Sequence, residues 1–135
     1  LLTAKQSLTY VNGGPFQHAL VTALGLGDGY FRDLADDLQA KRDLLSEGLR
    51  SAGFRVFPTA GTYFITADIR PLGASDGVEF CLSLPERCGV VAVPSVVFYD
   101  NEEAGRHLIR FAFCKRPEVL AEATERLAGM GESPS

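Results

Sequence analysis

His107-Leu108-Ile109-Arg110-Phe111-Ala112-Phe113-Cys114 is the stretch on which the reading of this chain turns. Alternation with period two puts Ile109, Phe111 and Phe113 on one face of a strand and Leu108, Arg110 and Ala112 on the other. The first face suits a core. The second carries a guanidinium, whose desolvation is costly unless an anion meets it, and whose planar fork of donors fits a carboxylate through two parallel hydrogen bonds. Three readings stay open on the strand alone: an edge strand with Arg110 in solvent, a structural pair with an internal Asp or Glu, or a site for an external anion.

Working outward, Phe16, Ala19, Leu20, Ala23 and Leu24 fall at helical spacing between the Asn12-Gly13-Gly14-Pro15 turn and Gly25. Asp28 can cap a second helix, in which Phe31, Leu34, Leu38, Leu45 and Leu49 make one apolar stripe and which ends at Gly53. Arg55-Val56-Phe57 and Thr62–Asp68 are β-branched and aromatic segments bracketed by Pro58, Gly61 and Pro71, so they read as strands. A helix is expected from about Asp76 to Cys88, then a strand over Val90–Val93 that stops at Pro94. Ser95–Gly105 reads as irregular, Pro117–Ala128 as a final helix with Val119, Leu120, Ala123 and Leu127 on one face, and Gly129–Ser135 as a frayed tail. This order predicts an α+β fold with helices covering a small sheet, without repeats, low-complexity tracts or linkers.

Composition bounds the classes. The 135 residues suit one domain with a single core, and 46% apolar with 22% charged residues excludes overall disorder. A net charge of −4, with no basic run longer than a pair, argues against nucleic acid. No apolar run is long enough for a membrane span and no signal-peptide pattern opens the chain. Cys81, Cys88 and Cys114 are odd in number and lack a CxxC pair, which favours reduced thiols and a cytoplasmic setting. The single methionine is Met130, so the expectation is a piece of something larger.

Most other candidate chemistry is weak. Gly25-Leu26-Gly27-Asp28-Gly29 lacks the preceding strand and the spacing of a dinucleotide loop. His18 and His107 lack a partner at metal-ligand spacing, and Cys81 and Cys88 share a helix face, which suits packing. Ser95 lacks the flanking glycines of a nucleophile elbow. Tyr10, Tyr63, Phe98 and Tyr99 suit either packing or binding. Of the three lysines, Lys5, Lys41 and Lys115, the latter two are expected at exposed positions.

Taken together, Thr3-Ala4-Lys5-Gln6, Thr9–Gln17, Gly61–Ile69, Gly89–Tyr99 and Ile109–Lys115 resemble, in order, the C-terminal part of class I/II (fold type I) pyridoxal-phosphate aminotransferases. Within that class the chain looks like the kynurenine/glutamine aminotransferases and the bacterial N-succinyldiaminopimelate aminotransferases. The resemblance implies the small C-terminal domain of such an enzyme, with a mostly antiparallel sheet, over residues 28–130. Residues 1–27 would join it to a large domain and 131–135 would form a tail. It further implies a homodimer and pyridoxal 5′-phosphate bound mainly by the large domain, with amino acids and 2-oxo acids as substrates. Arg110 matches the arginine that binds the substrate α-carboxylate, and Tyr10 with its neighbour Val11 would reach the active site of the partner subunit. Some members carry histidine where Val11 stands, a departure that leaves the substrate open. Phe98 and Tyr99 lie on a loop that packs near the substrate in relatives. Lys5 matches a position beyond the Schiff-base lysine, so the chain alone is expected not to transaminate. A freestanding carboxylate-binding or dimerisation domain is the alternative.

Overall fold

The computed structural model describes residue 3 and residues 13–131. They divide into two units, one reaching to Ala35 and one starting at Asp36. In the first, Gly14–Leu24 forms α1, with Pro15 in its first turn, where a missing N–H costs nothing. Gly25 closes it by donating its N–H to the carbonyls of Val21 and Thr22.

Helix α2, Asp28–Ser51, begins in this unit and continues into the second. Asp28, expected as a cap, is instead the first helical residue, where its charge complements the helix dipole. The apolar stripe is also corrected: Phe31 and Leu34 are exposed, while Leu45 and Leu49 are buried. Periodicity shows which face of a helix can be covered, and only neighbouring elements decide which part of it is.

The second unit holds a four-stranded sheet in the order β1-β2-β4-β3, from Arg55–Val56, Phe64–Asp68, Val93–Pro94 and Leu108–Ala112. Every neighbouring pair is antiparallel. β4 is central, with Ile65 opposite Phe111, Thr66 opposite Arg110 and Ala67 opposite Ile109 on one side. On the other, Val93 stands opposite Arg110. The face formed by Ile65, Ala67, Ile109 and Phe111 is buried with Phe54, Phe80, Leu84, Leu120 and Leu127. Phe54 meets Phe80 and Phe111 edge-on at centroid distances of 5.9 and 5.6 Å, a favoured aromatic geometry.

Helix α3, Gly77–Cys88, starts at Asp76, whose carboxylate accepts from the N–H groups of Val78 and Glu79. It stops at Gly89, which holds φ at 69°. Gly77 must be glycine for space: a Cβ there would lie 2.9 Å from the Arg106 carbonyl oxygen and 3.0 Å from that of Leu108. Cys81 and Cys88 do pack with the core, Cys81 at 7% exposure and Cys88 half-buried. A short α4, Glu102–Gly105, and the final α5, Pro117–Ala128, complete the helices. Tight 3₁₀ turns span Arg70–Leu72, Ser95–Phe98 and Gly129–Gly131.

Two expectations need correction. The strand foreseen over Val90–Val93 pairs only at Val93–Pro94; Val90 and Ala92 are apolar because they are buried, not because they join the ladder. The edge position of β3 admits Pro94, which has no N–H to donate. Ser95–Gly105, expected to be irregular, contains the 3₁₀ turn and α4.

Candidate functional site

The sheet face opposite the core presents Phe64, Thr66, Val93, Arg110 and Ala112. Arg110 projects from the middle of the central strand and is half-buried, which excludes the reading in which it sits on an edge strand in solvent. Its guanidinium carbon lies 4.4 Å from the centroid of the Phe64 ring and 3.7 Å from that of Phe98. Phe64 belongs to β2 and Phe98 follows β3, so the rings reach the cation from opposite flanks of β4. A cation over an aromatic face is stabilised by about 0.5–2 kcal/mol.

No acidic side chain pairs with Arg110 among the described residues. Four other arginines behave differently: Arg42 meets Asp43, Arg70 meets Asp68, Arg106 meets Glu103 and Arg126 meets Glu122. The donors of Arg110 therefore stay available while both flanks of its charge are covered by apolar rings. That arrangement suits a planar anion approaching in the guanidinium plane.

The rings are held by local geometry. Thr62 has φ 66°, a left-handed conformation that costs a β-branched residue roughly 1–2 kcal/mol. Its hydroxyl accepts a hydrogen bond from the N–H of Phe64 at 3.3 Å. Tyr63, 58% exposed, meets Phe64 edge-on at 5.8 Å. Phe98 ends the 3₁₀ turn that opens just after Pro94 and is 60% exposed. Tyr99 turns toward Gly105, where an added Cβ would come within 2.7 Å of its ring, and forms no ring contact with Arg110. Tyr10 and Val11 lie outside the described residues.

At the end of the same sheet face, Asp68 is buried, 1% exposed, and accepts from Arg70 Nε at 3.0 Å, Nη2 at 2.6 Å and the Arg70 backbone N–H at 3.0 Å. These hydrogen bonds from Arg70 hold its carboxyl below the usual range against the opposing effect of burial. Sequence reading missed this pair, although an Asp two residues before an Arg at a strand end was a usable signal. It also missed Phe64, whose place beside Arg110 depends on cross-strand register.

His18 is exposed on α1, His107 precedes β4, and Ser95 is buried with its Oγ unpartnered among the described residues. Lys41, expected to be exposed, is largely covered, its side chain 17% exposed, and its Nζ lies 2.6 Å from Asp37. The ammonium reaches the acid one turn earlier on the same helix. Lys115 is exposed and, with Arg110, lines a cleft of about 410 Å³ bounded by Val90, Val93 and Leu120. Among the described residues no cluster of His, Cys, Asp and Glu is arranged to hold a metal, and no helix is long and apolar enough to cross a membrane.

A family model described as aminotransferase class I and II matches residues 2–127. Methionine aminotransferase of Escherichia coli (strain K12) is 35% identical, over 90% of this chain and 31% of its own length. Kynurenine–oxoglutarate transaminase 3 of Mus musculus is 30% identical, over 93% of this chain and 31% of its own. The solved structure of N-succinyldiaminopimelate aminotransferase from Mycobacterium tuberculosis superposes with a TM-score of 0.86 at 48% identity, covering 95% of this chain and 33% of that one. The chain thus spans about a third of the length of the relatives it matches.

Proposed function

The chain belongs to the class I and II aminotransferases, and we propose that it is the C-terminal part of an enzyme that moves an amino group between an amino acid and a 2-oxo acid, with Arg110 as the α-carboxylate clamp. The observation that carries this reading is the half-buried, acid-free guanidinium of Arg110 on the central strand, covered by Phe64 and Phe98. An uncompensated charge in such a place is stabilised when a carboxylate arrives, and a fork of donors fixes the orientation of that carboxylate as well as its presence. Holding one end of the substrate in a defined pose positions the amino or oxo carbon for reaction.

In this family pyridoxal 5′-phosphate supplies the electron sink that carries the amino group. The family resemblance assigns the cofactor mainly to a large domain, and on this reading the chain alone would be inactive. Residues 28–130 would form the small domain, 1–27 the connection to a large domain and 131–135 a tail. Tyr10 and Val11 would serve the active site of the partner subunit in a cytoplasmic homodimer, and Phe98 and Tyr99 would border the substrate.

The test is Arg110→Ala and Arg110→Lys in the full-length protein that carries this chain. Arg110→Ala should lower kcat/KM for amino acids about a hundredfold, the scale on which truncating one partner of a buried, hydrogen-bonded ion pair acts. Arg110→Lys should remain poor, since a point charge does not reproduce the fork. Unchanged kinetics in both variants would overturn the assignment.

A further inference from the structure

We propose that Phe64 and Phe98 are positioning residues that act through Arg110: they cover the faces of its guanidinium from opposite flanks of β4 and leave the N–H edge as the approach for a carboxylate. The inference rests on the assignment of Arg110 as the clamp. Its geometric basis is the pair of ring contacts, 4.4 Å from Phe64 and 3.7 Å from Phe98, together with the absence of any acid at Arg110 among the described residues.

An acidic neighbour would orient the guanidinium too, but it would occupy the donors that a substrate needs. Aromatic faces attract the cation through their quadrupole and take none of its in-plane hydrogen bonds. A guanidinium is also weakly hydrated, so covering its faces sacrifices little solvation. The rings therefore order the fork before a ligand arrives, which reduces the ordering cost on binding. Core packing does not account for Phe98, which is 60% exposed and yet lies directly over the charge. On the other flank, the left-handed Thr62 and its hydroxyl contact to the Phe64 N–H fix the start of the strand that carries the second ring.

The experiment uses the full-length, cofactor-loaded protein and two unreactive acids that differ only in their side group, propionate and 3-phenylpropionate, titrated calorimetrically. Phe98→Leu should weaken both by the same factor, about three- to tenfold, and raise KM for amino acids with kcat within about twofold, because the orientation of the clamp is shared by every carboxylate. Phe98→Tyr and Phe98→Trp should restore binding, since each supplies a π face. A loss confined to 3-phenylpropionate would overturn the proposal, making Phe98 a wall of the side-chain pocket. Wild-type affinity for both acids in Phe98→Leu, alongside lost binding in Arg110→Ala, would overturn the positioning role and leave the clamp standing. Unchanged binding in Arg110→Ala would instead remove the clamp and this inference with it. Phe64→Leu repeats the test from the second flank; should it fail to fold, the exposed Phe98 position decides.

Discussion

Ile109 and Arg110 are consecutive on the central strand and meet opposite surroundings. Ile109 is fully buried against Ala67, Phe111 and the covering helices, all supplied by this chain. Arg110 faces the other way, with Thr66 and Val93 across from it and rings over its charge, but with no anion among the described residues. The core face is self-sufficient because apolar groups need only exclusion from water, which any well-shaped neighbour provides. A half-buried cation needs a specific partner, and the proposed clamp role would have a carboxylate from outside supply it.

The contrast breaks first if stability fails to separate the two faces. Phe111→Ala should cost about 3–5 kcal/mol in urea denaturation, through lost burial and a residual cavity. Arg110→Ala should cost no more than about 1–2 kcal/mol in the same measurement, because ring contacts are lost but no internal ion pair is. Equal destabilisation by the two would show that Arg110 serves the fold.

Next in size, Gly77→Ala should destabilise by about 1–3 kcal/mol, since its Cβ would press on backbone oxygens that cannot move aside as a side chain would. It should leave carboxylate affinity in the folded protein unaltered, as the contact lies between α3 and the segment entering β4.

Asp68 sharpens the comparison from the other end of the open face, because there the chain does supply the partner. Its depressed folded-state value, caused chiefly by the Arg70 side-chain hydrogen bonds, means that its stabilisation is present above the unfolded value of about 3.9 and is lost as pH falls through the lower folded value. Arg70→Ala should destabilise the protein at neutral pH by stripping the partner from buried Asp68, an effect moderated by the exposure of Arg70. The variant should lose less further stability between pH 5 and pH 2 than the parent. Parallel pH curves for parent and variant would contradict this.

The smallest effect is chemical. Cys81, whose thiol is pushed up to about 11 by burial, should resist a thiol reagent until unfolding, whereas exposed Cys114 should react at once. Mass spectrometry of a labelling time course reads the order directly.

Much of this architecture was legible in one dimension. Strand alternation assigned Ile109 and Phe111 to the core and Arg110 to the opposite face, and breakers marked the ends of α1, α3 and α5. Those features depend on a few adjacent residues, so local pattern determines them. The Val90–Val93 run misled because apolar character registers burial and is silent on hydrogen-bond pairing. The stripe of α2 misled because amphipathicity does not name the neighbour that covers it.

The sequence by itself determined the α+β class, the elements and, through its resemblance to a family, the arginine to watch. Only the tertiary structure decided that Arg110 stands on the central strand rather than an edge, and that Phe64 and Phe98 close over it from opposite flanks. The reason is physical. A strand's own periodicity sets which way each side chain points, but the identity of the groups it meets is set by register and strand order, which arise from pairing between segments far apart in the chain.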